Sequence, residues 1–421
     1  MEYSGTMDNS KTLMERLHEL NVYTKAYIFL FFVFSLQLVP NDIVVALCVI
    51  VFMAANLETG VYLYMFSLPW MYVGKFSFGL TISLINTVLL FLKIAIEKKK
   101  LSFSNLELLT LAYLTIIGLT ALILHSTLTG ISIVLYFFIS IYIYHTYASG
   151  KEHCDDFWGK CLFVVMISTA ICIIYGFRAD TAIDRWIPEI GNVKQLYGTM
   201  GTSRFGLYLN MSILYPLYYV RNKTLKIILC VLFSLAVFGT VSMTSLIMLI
   251  FILGFYVLTT GKLSVQKVGA IIGAVVVVAL LFAFWDQIGN TDILKPLYTR
   301  TNLVIDQIRD GDLDTATTGR ISRSEDYTDH FESFGFFNEL VGGAILSAAE
   351  SGYSHNSYLD MLNYCGILGA ILLAILQLQH IRAYIRTPVR NQAILVKMLF
   401  IIVAATVSIF SSQYWLLFFF M

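Results

Sequence analysis

Two arginines and one histidine have the types and positions that chemistry would need. Arg320 closes a Thr318-Gly319-Arg320 turn, and Arg204 stands directly before Phe205-Gly206, where a polar stretch gives way to an apolar one. A guanidinium is always charged, and its planar fork matches phosphate oxygens in bidentate pairs. Two such groups at one membrane mouth would hold a diphosphate head group. Each equally suits a salt bridge to a neighbouring carboxylate, or snorkelling to the interface. His355 stands where a long polar stretch meets the next apolar run. An imidazole has an unperturbed pKa of about 6.5, so it can take a proton from a hydroxyl within reach. The alternative is an interfacial ring beside a helix cap, with no chemistry. Asn356, Tyr358, Arg323 and Asp326 are further candidates, and Glu350 or Asp326 could replace His355 as the base. His125 and His330 lack a comparable setting.

A metal is not expected at these positions, nor any cofactor. No two histidines fall four apart and no HExxH occurs. Asp310-Gly311-Asp312-Leu313-Asp314 spaces its carboxylates as a calcium loop begins. Thr315 stands where that loop wants Gly, and Ile321 where it wants the closing Glu. A solvated turn fits better.

The rest of the chain must position these residues, and it reads as membrane. Charged residues are 13% of the 421 and hydrophobic ones 58%. A soluble domain carries roughly twice that charge. Strands of alternating polarity are absent, which argues against a β-barrel. The expected fold is all-α: a polytopic helical membrane protein in a single integral membrane domain over 1–421. Apolar runs at 27–38, 43–56, 61–73, 78–96, 106–124, 131–148, 161–175, 205–220, 225–239, 244–258, 268–285, 357–378 and 393–409 are the candidate spans. They make about 13 transmembrane helices, within a range of roughly 12–14. Trp415–Met421 is apolar but only half a span.

Lysine and arginine orient the bundle. With the N-terminus inside, alternation puts the basic clusters at 98–100, 151–160, 221–226, 262–267 and 382–397 in the cytoplasm. It puts a shorter loop, 176–204, and a long loop, 286–356, on the outer face. The long loop is acidic from Asp286 to Glu350 and is expected to be partly helical. Leu303, Ile305 and Ile308 suggest one amphipathic helix and 321–334 another, with a Gly342-Gly343 interruption further on. Long structured connections are more often functional than neutral. Near the N-terminus, Leu13, Leu17 and Leu20 share one helical face, which suits a short helix on the cytoplasmic membrane surface. No signal-peptide cleavage pattern comes after the first apolar run. The six cysteines include no CxxC pair and read as small buried hydrophobes. Intramembrane charges are few, and Asp42, Lys75, Lys93 and Asp360 all fall near span ends.

Arg204-Phe205-Gly206, Gly319-Arg320, His355-Asn356-Ser357-Tyr358-Leu359 and Gly366-Ile367-Leu368-Gly369 succeed one another in a recognisable order. In that order the chain resembles the bacterial O-antigen polymerase and O-antigen ligase group (Wzy and WaaL types), over roughly 106–378. The resemblance implies a GT-C-like glycosyltransferase architecture in the bacterial cytoplasmic (inner) membrane, multi-pass, with its active site on the periplasmic face. It implies a metal-independent transfer of glycan from undecaprenyl diphosphate to a hydroxyl. The acceptor would be a second lipid-linked repeat unit in a polymerase of O-antigen or capsule, or lipid A core in a ligase. Arg204 and Arg320 would hold the diphosphate, and His355 would deprotonate or orient the acceptor. Implied partners are the undecaprenyl-diphosphate-linked oligosaccharide, the lipid bilayer, and a chain-length regulator and flippase of the same pathway; no nucleic acid is expected. Two departures stand out. Where the family often has Ser-Arg-Gly between two mid-chain spans, this chain has Thr240-Val241-Ser242-Met243-Thr244-Ser245. The small-residue turn before the His-Asn element reads Asn338-Glu339-Leu340-Val341-Gly342-Gly343. Both weaken a ligase more than a polymerase. A polysaccharide flippase or transporter is the alternative from another class; few intramembrane charges and no visible inverted repeat count against it.

Overall fold

In the computed structural model the described residues are 13–70, 73–77, 79–97, 103–148, 154–178, 183–187, 191–195, 202–259, 287, 295–316, 320–344 and 356–406. They are predominantly helical. The first part of the chain forms α1 (Leu13–Glu19), α2 (Val22–Ser35), α3 (Asn41–Ala54), α4 (Leu57–Ser67), α5 (Ile82–Glu97), α6 (Asn105–His125), α7 (Thr129–Ile143), α8 (Cys154–Arg178), α9 (Thr202–Tyr219), α10 (Lys223–Gly239) and α11 (Met243–Thr259). After them come α12 (Lys295–Arg309), α13 (Leu313–Ala316), α14 (Arg320–Glu332), α15 (Phe336–Val341), α16 (Ser357–Tyr384) and α17 (Arg390–Ala404). The expected span 268–285 and the terminal run 415–421 lie outside the described residues. Among the described residues, four helices are long and apolar enough to cross a membrane: α6, α7 with its Tyr144–Ala148 extension, α8 and α16. α2, α3 and α11 are apolar but shorter.

Local chemistry sets many of the helix starts. An N-cap side chain accepts a hydrogen bond from an otherwise orphaned backbone N–H of the first turn. Asn21, Asn56, Asn222 and Asn356 do this for α2, α4, α10 and α16. Ser104 and Glu107 cap α6 reciprocally, in a capping box.

α8 lies at the centre, with 72% of its most apolar stretch buried. It packs on α2 and α4 on one side and on α9 on the other. The α2–α4 side is an aromatic cluster in which Phe31, Phe34 and Tyr175 surround Trp70. Trp70 Nε1 donates to Ser168 Oγ at 3.1 Å, which satisfies the one polar atom of the buried indole. α6 and α7 form a pair that α16 packs against, and α17 joins α16 to α9 and α11.

Several expectations need correction. The described parts of the loop 176–204 are regular structure. α8 continues to Arg178, and a two-stranded antiparallel hairpin, β1 (Ile183–Ile187) and β2 (Gly191–Gln195), pairs Trp186 with Asn192. Arg204 therefore sits in the first turn of α9 rather than at the end of a loop. The expected span 357–378 runs on to Tyr384 but is broken at Gly366. Lys397 belongs by sequence to a basic cytoplasmic cluster, yet it is 2% exposed, with Nζ 3.0 Å from Gln377 Oε1. In the long polar stretch α12 spans the Leu303 face and ends at Asp310–Asp312, where Gly311 takes a positive φ of 80°.

The leucine face of the N-terminal helix α1, expected to lie on the membrane surface, meets the protein core instead, with Leu20 buried and Leu13 and Leu17 against the core. Its anchor is polar. Arg16 is 1% exposed, and its Nη1 lies 2.6 Å from Asp156 Oδ1 on α8. Burial alone would lower the Arg16 pKa; the hydrogen bond and charge of Asp156 outweigh it and hold the group above its ordinary value. Removing Arg16 leaves Asp156 paired with Lys160, whose Nζ lies 2.7 Å from its Oδ2. Arg16→Ala is expected to cost on the order of 2 kcal/mol, less than for a fully enclosed pair because Asp156 stays 39% exposed. A double-mutant cycle with Asp156→Ala, read as thermal midpoint in detergent, checks this; zero coupling would refute it.

Candidate functional site

Among the described candidates, Asn356 and Tyr358 open α16, and Arg204 stands in the first turn of α9. Asn356 caps α16, its Oδ1 accepting from Tyr358 N at 3.0 Å and Leu359 N at 3.4 Å. α14, which carries Arg320, Arg323 and Asp326, packs against α16. Its buried Tyr327 offers a carbonyl to Asn363 Nδ2 at 3.4 Å. Asp314 Oδ1 accepts from Ser322 N at 2.9 Å and ties α13 to the start of α14, beside Arg320. Arg320 and Arg323 are half-buried and Asp326 is exposed. His355 and Glu350 lie outside the described residues.

Separate contacts through α17 and the turn before α11 lead from Tyr358 toward Ser203, the residue before Arg204. Tyr358 Oη donates to Ile401 O on α17 at 3.2 Å. One turn on, Thr406 Oγ1 accepts from Thr244 Oγ1 at 3.3 Å. Ser242 Oγ lies 3.2 Å from Ser203 Oγ, and Ser203 directly precedes Arg204. The turn that supplies Ser242 and Thr244 is held by Val241 at a φ of 49°, a costly backbone for a β-branched residue. This turn is the one in which the sequence departs from Ser-Arg-Gly. In place of an arginine it brings Ser242 within hydrogen-bond distance of Ser203, the residue before Arg204. Guanidinium and hydroxyl donors together suit a phosphorylated or polyhydroxylated head group.

α16 breaks nine residues below its first residue. Gly366 has φ 63° and ψ −174°, which interrupts the helical hydrogen-bond ladder there. The segment after α15 fills the gap. Gly343 N donates to Asn363 O at 2.9 Å and Ala344 N to Tyr364 O at 3.1 Å. Tyr113 Oη, from α6, sits between Val341 O at 2.8 Å and Cys365 O at 2.7 Å. His125 Nε2 bonds Gly343 O at 3.2 Å. His125 thus has a setting that its sequence surroundings did not reveal. The break sets the direction of the half-helix 357–365 that bears Asn356, Tyr358 and the buried Asp360.

A second polar cluster lies toward the other end of α16, and sequence reasoning missed it. Glu107 is 1% exposed, and His145 Nε2 lies 2.8 Å from its Oε2. His380 Nε2 lies 3.2 Å from its Oε1, and its ring stacks on Tyr144 at 4.1 Å. His145 is presented by a π-helical stretch, Tyr144–Ala148, a geometry frequent at functional sites. The signal for this cluster was in plain view: a carboxylate and two histidines flanking apolar runs. Among the described residues no group of three or more His, Cys, Asp or Glu is placed to hold a metal ion.

No protein-family model, curated protein or solved structure matches this chain.

Proposed function

We propose that the chain is a multi-pass membrane glycosyltransferase. It polymerises O-antigen or capsular repeat units at the outer face of the bacterial cytoplasmic membrane. What supports this reading is that the helix carrying Arg320 and Arg323 packs against α16, a helix apolar enough to cross a membrane whose first turn Asn356 caps, while Ser203, next to Arg204, meets the turn that enters α11. A lipid-linked diphosphate presents its head group at the entry of such a helix. The acceptor hydroxyl of a second lipid-linked unit attacks the anomeric carbon. Its C–O bond forms as the bond from that carbon to the diphosphate oxygen breaks. Undecaprenyl diphosphate leaves with the electron pair, and the hydroxyl proton passes to His355, or to Glu350 or Asp326 in its place. Arg320 and Arg204 stabilise the charge that grows on the leaving group, the kind of electrostatic effect that dominates many transfers. With no enzyme nucleophile the anomeric centre inverts. The activity needs no metal.

A ligase acting on lipid A core shares this chemistry. A transporter is the second reading, and the Glu107–His145–His380 cluster favours it, because buried ionisable groups mark ion pathways in membrane proteins. One experiment separates the three: glycan analysis of a deletion strain. Single repeat units attached to core are expected, and they indicate a polymerase. Accumulated lipid-linked polymer would indicate a ligase. Lipid-linked single units inaccessible from outside would indicate a transporter.

A further inference from the structure

The segment from Val341 to Ala344 sits too deep in the bundle to be an ordinary surface loop. Gly342–Ala344 meets α16 at Asn363–Gly366, six to nine residues below Ser357. At 1.5 Å per residue that is about 9–14 Å beneath the start of the helix. α6 gives an independent gauge. Tyr113 touches Val341 O, while His125, at the end of the same helix, touches Gly343 O. The segment therefore lies along the final turns of a helix long and apolar enough to cross a membrane.

From Gly342 to Ala344 its backbone N–H groups are also finished as lipid demands rather than as water allows. In hydrocarbon, non-helical backbone is tolerated only where protein satisfies its polar groups. Here Gly342 N donates to Asn338 O, Gly343 N to Asn363 O and Ala344 N to Tyr364 O. Val341 O and Cys365 O share the Tyr113 hydroxyl, and Gly343 O meets His125. The side chains on the other face of α15 are the reverse of finished. Phe336 is 81% exposed and Phe337 70%, on a segment that comes after the strongly polar α14.

We propose that residues 334–344 form a re-entrant arm: Phe336 and Phe337 contact phospholipid at the boundary of head groups and acyl chains, and Gly342–Ala344 is stitched into the broken helix α16 below them. The partner is the bilayer leaflet on the side where α16 begins. Phenylalanines at that level act as an anchor and hold α14, with Arg320 and Arg323, where a lipid-linked diphosphate lies. The inference rests on α16 crossing the membrane, one part of the proposed function, and is independent of glycosyl transfer.

The test uses the full chain in phosphatidylcholine–phosphatidylglycerol nanodiscs, with a nitroxide at Phe336→Cys or Phe337→Cys. Both side chains are exposed, so labelling leaves the packing intact; Glu325→Cys and Ile375→Cys are references for water and lipid. The readout is relaxation by oxygen against relaxation by a water-soluble nickel chelate. Labels at 336 and 337 are expected to favour oxygen severalfold over the Glu325 label, and to lie shallower than the Ile375 label. Nickel accessibility at 336 and 337 equal to that at 325, with 375 still in lipid, overturns the arm and leaves the membrane crossing standing. Nickel accessibility at 375 as well overturns both.

Discussion

Replacing Arg320 by Ala is expected to slow glycan transfer by roughly a hundredfold or more, with the protein folded and at normal abundance. Loss of one donor aimed at developing charge typically costs about 10²–10³ in rate. His355→Ala is expected to cost about 10²–10⁴, the range for a positioned general base. The two variants differ in kind. In the proposed mechanism Arg320 would hold the diphosphate in the bound state as well as in the transition state, so its loss is expected to raise KM and lower kcat. Loss of the base lowers kcat with little change in KM. Transfer between purified lipid-linked repeat units in proteoliposomes measures both. Arg320→Lys keeps the charge but loses the planar fork, and intermediate activity is expected. Because Arg320 opens α14 beside the Asp314–Ser322 contact, the thermal midpoint of each variant must be compared with wild type. Normal long-chain glycan from both alanine variants would sink the enzyme reading.

Much of the fold was legible because helix position depends on local chemistry. Apolar runs and the Leu303 face are local signals, and the described helices lie close to them. The order of Arg204, Arg320 and Asn356 was legible too, and alternation of helices was enough to expect them at one end. Burial of charge was not legible. Arg16 stands in a stretch of mixed charge and Lys397 in a basic cluster, both of which look solvated, and only the partners on other helices, Asp156 and Gln377, make their burial tolerable. Glu107 reads from sequence as a helix-capping carboxylate, which it is; that His145 and His380 converge on it is a tertiary fact. The α16 break was hidden for the same reason. Gly366-Ile367-Leu368-Gly369 has the look of small residues packing in a continuous helix, and a break becomes stable only when a segment some twenty residues upstream supplies its hydrogen bonds.

That stitched break predicts the largest stability effect in the chain. Gly342 has φ 89° and Gly366 φ 63°, each with ψ near extended. Such backbone is nearly exclusive to glycine, and a side chain there costs about 1–3 kcal/mol in strain alone. Space is lacking as well. A Cβ on Gly342 would stand 2.6 Å from Gly366 N and 2.7 Å from Cys365 C, both backbone atoms that cannot swing aside. A Cβ on Gly366 would stand 2.7 Å from Leu340 C. Gly342→Ala and Gly366→Ala are each expected to cost about 3 kcal/mol or more, since strain and steric conflict add. Tyr113→Phe removes only the shared hydroxyl and should cost about 1–2 kcal/mol. Gly254→Ala is the control: nothing lies within 4 Å of its Cβ position and it sits inside α11. Alanine there should be neutral or stabilising by up to about 1 kcal/mol. Folded yield and thermal midpoint in detergent rank the four variants. If Gly342→Ala and Gly366→Ala behaved like Gly254→Ala, the arm would not be stitched to the broken helix. The half-helix that bears Asn356 would then need another means of being aimed.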